Sequence, residues 1–119
     1  MPSLSSDREY DACEDIVTNA EAALRFTAGL TFAAFEADLL TQYAVVRCLE
    51  IISEASRRLT AETKLRHPDI PWRDIAHAGN LYRHAYHWVS LDIVWKTVHD
   101  QLNPITAVCR VELSRPQAP

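Results

Sequence analysis

The sequence predicts an all-α fold, an antiparallel up-and-down bundle of four to five helices, on three observations. Only two of its 119 residues are glycine, against a usual share of about 7%, and antiparallel β architectures lean on glycine for tight turns. Apolar residues recur at three-and-four spacing along most of the chain, the period of a helix that buries one face. A composition of 48% apolar residues with a net charge of −4 is too apolar and too weakly charged for disorder, and no stretch approaches the roughly 20 apolar residues of a bilayer span. At about 100 to 200 residues per domain, residues 1–119 are expected to form one domain, with a frayed tail over 114–119.

The elements follow in order. Ser6-Asp7-Arg8-Glu9 fits a capping box and opens a helix over about residues 7–28, striped by Tyr10, Cys13, Ile16, Val17, Ala20 and Leu24. Gly29 stands where a left-handed cap ends a helix, with Leu30 as its apolar contact. Thr31 is placed as the N-cap of a short helix carrying Phe32 and Phe35. Leu40, Ala44, Cys48, Ile51, Ile52, Ala55 and Leu59 outline a second long helix over about 37–59, followed by a short helical turn to Arg66.

Pro68 and Pro71 break the pattern, and Pro71 suits the first position of a new helix running from Trp72 to about Tyr86. Ser90-Leu91-Asp92 starts the last helix, with Leu91, Val94, Trp95, Val98, Leu102 and Ile105 on its stripe. Pro104 is expected to kink or interrupt it, because proline lacks the amide and clashes with the preceding turn. Trp72, Trp95, Phe32 and Phe35 are expected core anchors, and Tyr82 and Trp88 are expected at a helix or subunit interface.

Cys13, Cys48 and Cys109 are widely spaced, odd in number and set in apolar stretches, so they are expected as buried free thiols. The N-terminus is polar and acidic where a secretion signal would be basic and then apolar. The expected location is therefore the cytoplasm, with no membrane association.

Charge is unevenly distributed. Residues 1–56 carry three basic against ten acidic residues, and residues 57–87 carry six against three together with four of the five histidines. The chain is no general polyanion binder but has one locally basic segment. Two readings of Arg57, Arg58, Lys64 and Arg66 stand: they rim a nucleic-acid cleft, or they pair with the acidic N-terminal half. Glu54 is expected to face inward and pair with an arginine of the helix that begins at Trp72.

Within the helix that begins at Trp72, Arg73, His77, Asn80 and His84 fall at spacings of four, three and four, so they share one stripe. Ile75, Ala78, Leu81, Tyr82 and Ala85 make its apolar side. Histidine titrates near neutrality and arginine and asparagine donate to phosphoryl oxygens. Such a stripe suits proton transfer and phosphate contact, and it equally suits a plain solvated face. No metal-binding pattern such as a histidine pair at i, i+4 is present, and no metal or other cofactor is expected.

The string from Ile75 to Tyr86, preceded by Pro71-Trp72-Arg73 and followed by Asp92-Ile93-Val94-Trp95, resembles the HepT family of HEPN (higher eukaryotes and prokaryotes nucleotide-binding) domains. The family pattern is a P-W-x-x-I, then R-N-x-x-x-H-x-Y, then a tryptophan in the next helix. Leu49-Glu50-Ile51-Ile52-Ser53-Glu54-Ala55 is similar to the family's L-x-x-I-G-E-A, with Ser53 at the glycine. Arg8, Asp15-Ile16 and the Gly29 to Phe35 turn match as well, so the resemblance spans about residues 8–108.

The resemblance implies a homodimeric HEPN-like helical bundle that cleaves RNA without a metal, as the toxin beside a minimal nucleotidyltransferase antitoxin. It makes His84 the catalytic acid/base and Asn80 the residue that orients the phosphate. Arg83, Arg73 and His77 are candidate phosphate contacts, and Tyr86 matches the tyrosine that the partner modifies with AMP. One position departs: Gly79 stands at the motif arginine, and loss of one such donor costs on the order of 10² to 10³ in rate. The alternative implied by that departure is a non-catalytic HEPN dimer that binds RNA or a nucleotidyltransferase.

Overall fold

The computed structural model describes residues 4–84 and 90–116, and side chains over 7–79 and 90–116. Helices and their connections make up the described chain, which contains no strand. The helices are α1 (Leu4–Thr27), α2 (Phe32–Glu36), α3 (Leu39–Ser56), α4 (Ala61–Leu65), α5 (Trp72–His84) and α6 (Leu91–Leu113). None among the described residues is long and apolar enough to cross a membrane.

Local chemistry accounts for most boundaries. Gly29 takes φ +76°, the left-handed conformation that ends α1, and the Leu30 amide returns to the Thr27 carbonyl at 3.0 Å. Thr31 caps α2 by accepting from the Ala34 amide at 3.1 Å. Asp38 caps α3, accepting from the Thr41 amide at 3.1 Å and the Thr41 hydroxyl at 2.6 Å. The Thr41 hydroxyl and amide hold the Asp38 carboxyl below its usual range. Thr60 caps α4, which realises the short turn expected before Arg66.

Three expectations are corrected. Ser6 lies inside α1, which starts at Leu4, so the expected capping box does not form. Glu9 instead accepts from the backbone amide of Thr60 at 2.7 Å, fifty-one residues on, at the start of α4. At Pro104 the interruption does not occur: α6 runs from Leu91 to Leu113 with the proline inside it. Leu40, expected on the buried stripe, is 79% exposed, because α3 begins only at Leu39 and its buried face is made by Val45, Val46, Cys48, Leu49 and Ile52.

The core lies where α1 packs against both α3 and α6. The start of α1 meets the end of α3 through Glu9 and Thr60 and through Asp15 and Arg58, so these two helices run antiparallel. Burial of Ile16, Ala20, Ala23, Val45, Leu49, Ile52, Val94, Val98, Leu102 and Ile105 forms its interior, each large aliphatic side chain contributing about 1.5–3 kcal/mol of transfer free energy. Phe35, fully buried, and Phe32 pack on Trp95 with ring centroids 5.2 and 6.0 Å apart. All three cysteines are free and buried, as expected. The neighbouring Cys13 thiol and burial push the Cys109 thiol far up.

The α4–α5 connection is anchored at the end of α6. Glu112 accepts from Arg66 at 2.6 Å and meets His67 Nε2 at 2.6 Å. Trp72, buried, donates its indole N–H to the His67 carbonyl at 3.0 Å. These contacts seat the first turn of α5, and α5 then lies along α3.

Candidate functional site

The site is built on α5. Pro71 precedes its first residue, where a missing amide is harmless and a fixed φ suits the helix. Ile75 and Ala78 pack against the core, while Arg73 and His77 are exposed. The backbone is helical through His84, so positions 80 and 84 continue the helical register of Arg73 and His77. The side chains of Asn80, Leu81, Tyr82, Arg83 and His84 lie outside the described side chains. Ala85, Tyr86, the candidate modification site, and Trp88 lie outside the described residues altogether.

Next to this stripe, α5 meets α3 backbone-close. Gly79 is buried, and its amide donates to the Ser53 hydroxyl at 2.9 Å. The same hydroxyl donates to the Ala76 carbonyl at 3.0 Å. Arg57, which caps the C-terminus of α3, donates Nε and Nη2 to that carbonyl at 3.1 and 2.6 Å. A glycine at position 79 thus leaves its helix face to a serine and a guanidinium from α3.

The remaining basic residues of this segment have separate partners. Arg58 pairs with Asp15 of α1 at 2.6 Å, and Arg66 pairs with Glu112 at 2.6 Å. Arg58 thus serves the acidic N-terminal half, while Arg57 turns to the motif helix. Glu54 is exposed on α3 rather than inward, and among the described residues it makes no ion pair. The position of Arg57 was hidden because it is set by a contact nineteen residues away in sequence; the one signal available was the paired departure at Ser53 and Gly79 from the pattern the chain resembles.

Among the described residues, no group of three or more His, Cys, Asp or Glu side chains is placed to hold a metal ion. The described part of the site offers an exposed histidine and an exposed arginine, His77 and Arg73, on a helix face. These are groups for contacting phosphate and for moving protons.

An all-α bundle with one polar motif helix docked through a glycine is the class that fold and site define. The chain belongs to the HepT-like family: the family described as "Ribonuclease HepT-like" matches residues 16–111. It is 41% identical over 92 residues, 77% of this chain and 84% of the relative, to a Thermococcus cleftensis protein named "Probable ribonuclease HepT". Two Methanocaldococcus jannaschii proteins named as candidate RNases are also similar. One is 31% identical over 76% of this chain and 84% of the relative, the other 34% identical over 71% and 69%. No solved structure matches the chain.

Proposed function

We propose that this chain is a metal-independent endoribonuclease of the HepT type, acting as a homodimer and serving as the toxin of a toxin–antitoxin pair. The observation that carries the reading is α5: in a chain of the HepT-like family, its helix holds Arg73 and His77 outward and continues in register through Asn80 to His84.

In this reaction the ribose 2′-oxygen attacks the adjacent phosphorus and the bond to the 5′-oxygen breaks, leaving a 2′,3′-cyclic phosphate and a free 5′-hydroxyl. His84 takes the proton from the 2′-hydroxyl or delivers one to the leaving 5′-oxygen, the second copy in the dimer providing the complementary transfer. Asn80 orients the phosphate through its amide donors. Arg73 and His77 extend phosphate contact along the stripe, one to two turns before Asn80. Arg83 is about 100° around the helix from His84, so it serves phosphate across the dimer. The nucleotidyltransferase partner silences the toxin by transferring AMP to Tyr86, adding a charged phosphate that repels RNA.

The purified chain is expected to cleave structured RNA in EDTA, and His84→Ala to abolish cleavage; cleavage untouched by that change sinks the reading. A second reading, a non-catalytic dimer that binds RNA, is favoured by Gly79, buried where the family pattern has an arginine. RNA binding without any cleavage by the native chain would select it.

A further inference from the structure

Contacts around α4 bring Cys13 of α1 and Cys109 of α6 to one level of the core. Glu9 accepts the Thr60 amide, at the start of α4, at 2.7 Å. Glu112 holds Arg66 and His67, just past the end of α4, at 2.6 Å each. The short α4 therefore lies across the start of α1 and the end of α6, and these two helices, packed along each other, run antiparallel. Cys13 is about one turn inward from Glu9 and Cys109 a little under one turn inward from Glu112. Both are buried in the core that α1 and α6 share.

The two sulfurs also act on each other. The Cys109 thiol lowers the pKa of Cys13, against burial and the Glu112 and Glu9 carboxylates, while Cys13 and burial push Cys109 up. A common level, facing positions and mutual contact are what a disulfide requires, since two cysteines more than about 7 Å apart at Cα, or with diverging side chains, are not bridged. The third thiol lies elsewhere. Cys48 has Arg25 and Arg47 as its charged neighbours, and Arg25 is twelve residues along α1 from Cys13, about 18 Å at 1.5 Å per residue.

We propose that Cys13 and Cys109 form a redox-responsive pair that a peroxide closes to an intrachain disulfide, stapling α1 to α6 beside the anchor of the motif helix. A buried apolar thiol is ordinarily inert because burial keeps it protonated; Cys13, which its neighbour lowers, is the attacking sulfur. Cys109 is one turn from Leu113, where α6 ends, and helix ends open at little cost in free energy, which admits a molecule as small as a peroxide. The Cys13 thiolate attacks one peroxide oxygen, the O–O bond breaks, and the departing hydroxide takes up the proton that Cys13 lost, leaving a sulfenic acid and water. The Cys109 sulfur then attacks the Cys13 sulfur; the S–S bond forms, the S–O bond breaks, and the departing hydroxide leaves as water with the Cys109 proton. Two thiols are oxidised and one peroxide is reduced to two waters. The bridge forms one turn from Glu112, which holds the connection leading into α5, so closing it stiffens the base of that helix. None of this depends on the RNA-directed reading above.

The test uses the full chain, reduced and then treated with hydrogen peroxide. Intact mass is expected to fall by two hydrogens, two of the three thiols to become unreactive toward a maleimide after denaturation, and proteolytic peptides holding Cys13 and Cys109 to be joined. The melting temperature is expected to rise by about 6–20 °C, as for a disulfide that closes a long loop in a chain of this size, and to return with dithiothreitol. Hydrogen exchange over residues 66–72 and 105–113 should slow in the oxidised chain. Cys48→Ala is expected to behave as the parent does, and Cys13→Ala and Cys109→Ala to form no intrachain disulfide. The peptide map of the parent decides the pairing even if a core variant folds poorly. A bridge that includes Cys48, a gain of oxygen without loss of two hydrogens, three thiols still reactive after peroxide, or a bridged chain with unchanged melting and exchange overturns the proposal.

Discussion

The Ser53 hydroxyl accepts the Gly79 amide at 2.9 Å while donating to the Ala76 carbonyl at 3.0 Å, joining α3 to the backbone of the motif helix in the buried seam between them. Ser53 is 2% exposed, so both bonds are made away from water, where an unmet polar group is costly.

Replacing that hydroxyl is therefore expected to loosen α5. Ser53→Ala should lower unfolding free energy by about 1–2 kcal/mol, since it removes two buried bonds of modest net worth. Urea denaturation measures the change, and hydrogen exchange over residues 76–80 should rise with it. A variant as stable as the parent, with unchanged exchange, would show that the seam is held by packing alone.

Burial of Gly79 against Ser53 is expected to make position 79 a poor place for a long side chain. Gly79→Arg places a long side chain in the seam that Ser53 and Arg57 occupy, and is expected to destabilise the fold by about 1–3 kcal/mol, the range of overpacking. Ser53→Gly in the same chain should recover part of the loss. A double-mutant cycle is expected to give a coupling of at least about 0.5 kcal/mol, as for residues in direct contact, whereas additive effects would contradict the contact.

Glu112 is expected to tie stability to acid pH. Burial opposes its charge, but hydrogen bonds from Arg66 and His67 outweigh burial and hold its pKa below the usual glutamate value. A carboxylate with a depressed folded pKa contributes stability in full above its unfolded value, about 4.3, and loses it as pH falls through the folded value. Glu112→Gln should therefore cost about 1.5–3 kcal/mol near neutrality, as for hydrogen bonds to charged groups. The gap between parent and variant in urea unfolding should narrow below about pH 4; a gap independent of pH would refute the linkage.

Pro104 offers a gain. It sits exposed inside an unbroken α6, where proline is about 3 kcal/mol less favourable than alanine. Pro104→Ala is expected to raise unfolding free energy by about 1–3 kcal/mol, part of the penalty having been relieved by local adjustment. Calorimetry should show a higher melting temperature; an unchanged or lower one would mean the helix accommodates the ring without cost.

Much of the fold was legible because its signals are local. Thr31, Gly29 and Pro71 set helix ends through groups within four residues, and the stripes of α1, α5 and α6 follow from periodicity. The failures share a cause. Glu9 had a suitable partner in Ser6, but it caps α4 across fifty-one residues, and Leu40 fits a helical period yet is left exposed in the first turn of α3. Of the site, spacing alone sets Arg73, His77, Asn80 and His84 on one face, since 3.6 residues per turn needs no tertiary context.

By itself, then, the sequence determined an all-α chain with one polar motif helix, because helix period and caps are properties of neighbouring residues. The tertiary structure decided which basic residue reaches that helix. Arg57, Arg58 and Arg66 are close in sequence and alike in chemistry, yet one meets Ala76, one Asp15 and one Glu112. What separates them is the direction in which each leaves its helix end and the element packed there, set by the docking of α3 against α1 and α5. Ser53 and Gly79 belong to that same docking: a small hydroxyl on one helix and a bare backbone on the other let the two approach closely enough for Arg57 to reach across.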